Sequence, residues 1–124
     1  MNSRKPEPSL NACLPKPLLK DRALLSSEQA LALAAVFKIL ANDTRLRLLH
    51  ALVREGEMGV MELADLLTMK PQAISNQLTR LADRGILGYR RNGNNIYYRI
   101  VDPCVIELLD HGRCLSEDAK ARSR

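Results

Sequence analysis

The chain has no tryptophan, one phenylalanine and three tyrosines in 124 residues. A core must therefore be built from leucine, isoleucine, alanine and valine, which points to a mainly helical domain. Nowhere do eighteen apolar residues run together, so no spanning helix is expected, and the first thirty residues lack the apolar stretch of a signal peptide. The expectation is a cytoplasmic protein without a membrane partner. Cysteine is also scarce: Cys13, Cys104 and Cys114 are an odd number, which argues against a disulfide framework and leaves thiols as the default in a reducing compartment. There is no Cys-x-x-Cys, no Ser/His/Asp set and no glycine-rich phosphate loop, so catalysis is not expected. Internal repeats and low-complexity segments are absent too.

What is present is one domain's worth of chain, 46% hydrophobic, with a formal charge of +5 and a pI near 9.4. The charge favours an anionic partner, either nucleic acid or an anionic membrane surface. A chain this short often completes its burial against a partner subunit.

Residues 1–17 carry Pro6, Pro8, Pro15 and Pro17 among polar residues and read as a flexible N-terminal arm, with Cys13 on it. The domain itself is expected over 18–114. From Ser27, a plausible cap, "SEQALALAAVFKILA" is apolar on nearly every side, as a helix wedged between a core and a dimer interface would be. "NDTRLRLLHALVREG" reads as an amphipathic helix capped by Asn42 and stopped by Gly56, with Leu46, Leu49 and Val53 recurring at helical intervals. "VMELADLLTM" follows as a short helix with Leu63, Leu66 and Leu67 inward. "PQAISNQLTRLADRG" opens with Pro71 at a favoured first position and ends at Gly85. The period then changes: "ILGYRR" and "IYYRIV", separated by "NGNN", predict a β-hairpin. A last helix starts at Pro103 with Val105, Ile106, Leu108 and Leu109 on its apolar face, Gly112 weakens its end, and residues 115–124 are expected to fray.

Steps of 100° put Ile74, Leu78 and Leu81 on one face of the 71–83 helix and Gln72, Ser75, Asn76, Thr79 and Asp83 on the other. Asn and Gln can each pair with an adenine edge, and Ser or Thr can reach bases or phosphates. A solvated helix face would look the same in isolation. Two short helices followed by a basic hairpin, however, make a winged helix-turn-helix, a mainly α fold with a β-hairpin wing. Between Leu66 and Val101 six basic residues face one acid, Asp83, so this segment carries as much net charge as the whole chain, +5. Gln72, Ser75, Asn76 and Thr79 are the candidate base readers; Lys70, Arg80, Arg90, Arg91 and Arg99 are the candidates for phosphate or minor-groove contacts on double-stranded DNA.

"FKILANDTRLRLLHAL", "AISNQLTRLADRGIL" and "RRNGNNIYYRI" together resemble the ArsR/SmtB family of winged-helix metal-sensing repressors over roughly residues 30 to 110. Asp43 stands where the family usually has proline, and Lys70-Pro71-Gln72 where serine-rich starts are usual. The resemblance implies a homodimer joined through its first and last helices, bound to an inverted-repeat operator until an inducer releases it. The family's thiol pair at the start of the third helix aligns with Gly59 and Met61, so that site is absent. Its last-helix site aligns with Asp102-Pro103-Cys104, with the partner position at or beside Cys114, and the arm thiol of some relatives corresponds loosely to Cys13.

On one helix Cys104 and Cys114 are nearly three turns apart, too far to share an ion, but antiparallel last helices in a dimer would bring Cys104 of one subunit toward Cys114 of the other. With Cys13 as a third sulfur, such a site suits soft ions: Hg(II), including organomercurials, is favoured, with As(III) close behind, then Cd(II) or Pb(II). Each cysteine could equally be a small packing residue. His111 reads as a surface residue or auxiliary ligand, His50 as a helix edge, Asp102 as a cap, and Met58, Met61 and Met69 as packing. Two other readings stay open: the same fold with a redox thiol switch, and a constitutive architectural DNA-binding protein.

Overall fold

Short polar residues and glycines set the ends of the helices, and the segments between them fold back on one apolar centre. The structure, a computed structural model, describes residues 16–122. After a single 3-10 turn at Leu19–Asp21, α1 covers Ser27–Leu40 and α2 Asp43–Glu55. Strand β1 is Met58–Gly59, followed by α3, Val60–Leu67, and α4, Pro71–Asp83. The hairpin pairs β2, Leu87–Asn92, with β3, Asn95–Ile100, and α5 runs from Pro103 to Arg122.

Asn42 caps α2 as expected, its Oδ1 accepting the Arg45 N–H at 3.0 Å, and Gly56 ends that helix with φ +86°. The cap of α1 is Ser26 rather than Ser27. The Gln29 N–H donates to Ser26 Oγ at 3.1 Å while the Ser26 N–H donates to Gln29 Oε1 at 2.9 Å. This reciprocal pair needs a glutamine or glutamate three residues on, which Ser27, facing Ala30, does not have.

The core joins Leu48, Leu49 and Leu52 of α2, Leu63 and Leu67 of α3, Ile74, Leu78 and Leu81 of α4, and Ile86, Leu87 and Tyr98 of the hairpin region. Leu46 and Leu66 were expected inward but are exposed. Helix α2 turns Leu48, Leu49 and Leu52 to the centre instead. In α3, Ala64 shares the buried side with Leu63 and Leu67, because Leu66 lies roughly a third of a turn off that side at 100° per residue. Met58 is buried and Met69 packs against the core, whereas Met61 is exposed.

The sheet is antiparallel in the order β1-β3-β2. Strand β1 is too short to leave a periodic signal in the sequence; Met58 pairs with Tyr98 and Gly59 with Tyr97. In the hairpin Leu87 faces Ile100 and Asn92 faces Asn95, so the central turn residues are Gly93 and Asn94. Only Gly93 takes a positive φ, +68°, as a two-residue turn with glycine in first place requires.

The outer helices extend beyond this core. Helix α1 was expected to lie between the core and a dimer interface, and in the single chain Leu31, Leu33, Val36 and Phe37 are exposed, Leu31 to 71%. Its apolar surface is greater than one copy of the domain can cover. Helix α5 continues through Gly112 to Arg122, so residues 115–122 are helical, not frayed. One interior glycine costs only about 1 kcal/mol. Beyond it, Arg113 and Glu117 pair at 3.6 Å across one turn, and Lys120 and Arg122 suit the negative end of the helix dipole.

Gly88 has no room for a side chain: a Cβ there would lie 2.6 Å from Val101 Cγ1. Because the β-branched valine cannot swing aside freely, Gly88→Ala is expected to lower stability by roughly 1–3 kcal/mol. A urea melt checks this, and an unchanged midpoint would contradict the tight packing at the base of the wing.

Candidate nucleic-acid interface and thiols

Ile74, Leu78 and Leu81 are fully buried, which fixes how α4 is rotated about its axis. The opposite face therefore presents Gln72, Asn76, Thr79 and Arg80 to solvent, with Ser75 half-buried at its edge and Lys70 exposed just before Pro71. Gln72 Nε2 donates to Asn76 Oδ1 at 3.1 Å, so the two amides one turn apart hold each other in register. Unlike these, Gln77 faces inward: Arg45 Nε donates to its Oε1 at 2.6 Å while Arg45 Nη1 donates to the Ile39 carbonyl at 3.1 Å. Helix α2 thus braces α4 from behind.

The link from α3 to α4 is a three-residue turn. Thr68 adopts the left-handed conformation (φ 55°, ψ 53°), and the Met69 N–H closes on the Ala64 carbonyl at 2.9 Å. A β-branched residue rarely takes this conformation. Here it reverses the chain sharply enough to give the helix-turn-helix expected from the sequence.

On the wing the candidate cations divide. Arg90 Nε lies 3.0 Å from both carboxylate oxygens of Glu57, and its Nη2 donates to Oε1 at 2.8 Å. Its guanidinium carbon also sits 4.9 Å from the centre of the Tyr97 ring. The hydrogen bonds to Glu57 and the charge of that carboxylate raise the Arg90 pKa above its ordinary value. Arg91 and Arg99 are exposed, and among the described residues neither forms an ion pair. A Cβ on Gly88 would stand 3.7 Å from Arg99 Cζ and Nη2, so the Arg99 guanidinium lies above the glycine. Tyr89 and Tyr98 stiffen the hairpin with ring centres 5.7 Å apart.

The cysteines are more dispersed, and one departs from the expectation of free thiols: Cys104 is disulfide-bonded, whereas Cys114 is free. Cys104 is the second residue of α5 and exposed; its N–H donates to Asp102 Oδ1 at 2.9 Å, so Asp102 acts as the expected cap. Cys114 is exposed farther along α5, with Sγ 3.7 Å from Asp118 Oδ2. Ten residues of helix put the two positions about 15 Å apart along the axis. Cys13 lies outside the described residues, and among the described residues no three His, Cys, Asp or Glu side chains gather as a metal site. His111 and His50 are exposed.

The fold therefore brings Lys70, Gln72, Ser75, Asn76, Thr79 and Arg80 onto α4 or its entry, and places Arg91 and Arg99 on the adjoining wing. It does not bring Cys104 to Cys114 within one chain. Glu57, Tyr97, Arg45 and Gln77 were not foreseen as parts of this site. Their partners are distant in sequence, and no spacing rule links them.

Comparison with known proteins agrees with this geometry. Residues 40–101 match a protein-family model described as HVO_A0114. The crystal structure of the AntR antimony-specific transcriptional repressor superposes with a TM-score of 0.75 at 59% identity, covering 88% of this chain and 98% of that one. A transcriptional repressor SmtB homolog of Synechocystis sp. is 39% identical over 85 residues, 68% of this chain and 64% of the relative. The arsenic resistance transcriptional regulator ArsR1 of Pseudomonas putida is 46% identical over 65 residues, 52% of this chain and 51% of the relative. The chain thus spans less than two thirds of these two regulators. With the recognition helix, the wing and the sequence between them all matched, the chain belongs to the ArsR/SmtB family of winged-helix transcriptional repressors.

Proposed function

We propose that the protein is a homodimeric repressor that binds an inverted-repeat operator in double-stranded DNA and leaves it when a thiophilic ion binds its cysteines. The observation that carries the DNA-binding half is the orientation of α4. Three buried residues hold one face down, and the opposite face offers paired amides and hydroxyls at the spacing a major groove can accept. Gln72, Ser75, Asn76 and Thr79 read base edges; Lys70, Arg80, Arg91 and Arg99 neutralise phosphates or enter the minor groove beside the wing. Arg90, already engaged by Glu57, braces the wing.

The dimer rests on the outer helices. Exposed Leu31, Leu33, Val36 and Phe37 on α1 are the apolar surface a second copy would cover, and α5 is long enough to run alongside its twin. Once the disulfide at Cys104 is reduced, antiparallel α5 helices would offset the separation of the thiols by bringing Cys104 of one subunit toward Cys114 of the other, with Cys13 on the arm as the third sulfur. Asp102 serves as a cap.

The order of ions follows from the donor set and the similar proteins. Mercury leads on thiol softness alone. A three-sulfur site equally suits a trivalent, pyramidal ion, and the 59% identity to an antimony-specific repressor moves antimonite and arsenite ahead of Hg(II), with Cd(II) and Pb(II) after it. For release, the ion must bind the DNA-free arrangement more tightly than the DNA-bound one. The expected coupling is about 1–3 kcal/mol, roughly 5- to 150-fold in operator affinity.

Anisotropy of a labelled inverted-repeat duplex tests the sensing half. Antimonite or arsenite is expected to weaken binding of the reduced protein within that range, and Cys104→Ser to abolish the response while leaving ion-free binding intact. Equal binding with and without every soft ion would point to a redox thiol switch. The dimer is tested by sedimentation: Leu31→Glu combined with Phe37→Glu is expected to give monomers and to weaken operator binding at least tenfold. A dimer that survives both charges would place the interface elsewhere.

A further inference from the structure

The Glu57–Arg90 pair occupies a position that bears directly on how tightly the wing holds DNA. Glu57 lies immediately before β1, while Arg90 is on β2, the far strand of the sheet. Met58 pairs with Tyr98 and Gly59 with Tyr97, and Arg90 faces Tyr97 from the other side. Alternation along the strands therefore puts Glu57, Tyr97, Arg99 and Arg90 on one face of the wing. The two small residues on that face, Gly59 and Gly88, let these side chains close over the strands: the Arg99 guanidinium lies above Gly88, and the Tyr97 ring comes within 3.6 Å of a Cβ placed on Gly59.

A carboxylate engaging guanidinium through two oxygens presents the same geometry as a phosphate doing so. Here the carboxylate belongs to the protein. Arg90 meets it with contacts of 2.8 and 3.0 Å and lies over the Tyr97 ring, while 51% of the Arg90 side chain and 30% of that of Glu57 remain exposed. The pair is thus accessible but already neutral. Arg91 and Arg99, on the same strands, have no such partner among the described residues.

Resting on the DNA-binding reading above, we infer that Glu57 is an internal stand-in for a DNA phosphate: it keeps Arg90 from neutralising the backbone and so sets the affinity of the wing below its full cationic capacity. Glu57 is a positioning residue that acts through Arg90. Removing its charge releases one cation per chain to the duplex. For a repressor that must leave DNA when an inducer binds, this restraint reduces the affinity the inducer has to overcome.

Each phosphate neutralised steepens the fall of log K with log salt by about 0.9 on B-form DNA. The experiment is a salt series of anisotropy titrations on one operator duplex with wild type, Glu57→Gln, Arg90→Gln and the double variant, each checked for folding by a thermal melt. Glu57→Gln is expected to bind more tightly with a slope steeper by about 0.9 per chain, and Arg90→Gln to keep the wild-type slope. In the double variant the gain is expected to vanish. An unchanged slope or weaker binding in Glu57→Gln overturns the inference, as does a gain that survives in the double variant, which would mean simple repulsion between Glu57 and DNA. A shallower slope in Arg90→Gln also overturns it, and decides the matter alone should Glu57→Gln fail to fold. Wild-type protein that fails to bind duplex DNA at all sinks the DNA-binding reading itself, an outcome distinct from those of the variants.

Discussion

The burial of Ile74, Leu78 and Leu81 is the constraint on which the rest of the molecule depends. These three side chains lie within two turns of one helix, and each is sealed from water by leucines of α2 and α3 and by the residues that lead into the hairpin. Because an α-helix is rigid about its axis, holding one face down determines where every residue on the other face points. The amides of Gln72 and Asn76 and the hydroxyl of Thr79 owe their exposure to that packing. Arg45 reinforces it through Gln77, and the wing is tied to the same centre by Ile86, Leu87 and Tyr98. A reading helix and a wing that share one core move as a unit, so a change in the spacing of two such units alters both contacts with a duplex together.

Much of this arrangement was legible in the sequence. Pro71 and Gly85 bracket α4, Asn42 and Gly56 bracket α2, and "NGNN" marks the hairpin turn, each for a local stereochemical reason that does not depend on distant residues. The inward residues of α4 were legible because their three- and four-residue spacing is unambiguous. Leu46 and Leu66 misled because leucine-rich helices offer more apolar positions than one face can bury, and only the neighbouring helices decide which are used. Ser26 was passed over for Ser27 because the deciding feature is the glutamine three residues on. The end of α5 was placed too early because a single glycine was given more weight than the helix-favouring residues after it.

The candidate site was legible in its residue types and illegible in its pairings. All four proposed base readers lie on α4, with three exposed and Ser75 half-buried, and Arg91 and Arg99 are exposed as expected. Arg90 looks identical to Arg91 in sequence, yet one is held by a carboxylate 33 residues away and the other is not. No periodicity connects Glu57 to Arg90; the connection exists only because β1, β3 and β2 line up in that order. The cysteines show the same limit at a larger scale. Helix geometry alone separates Cys104 from Cys114 within a chain, so a shared site must draw on a second subunit and the arm. The exposed apolar face of α1 would supply the driving force for the proposed pairing.

The most direct test of the central claim is hydroxyl-radical footprinting of the protein on the DNA upstream of its own coding sequence, with and without antimonite. The account predicts two protected segments whose centres lie about 10–10.5 base pairs apart or a multiple of that, as two recognition helices related by a twofold axis require, with both lost together when the ion is added. Protection spread evenly along the duplex and unchanged by the ion would contradict it, and would make the protein an architectural DNA binder whose cysteines are incidental.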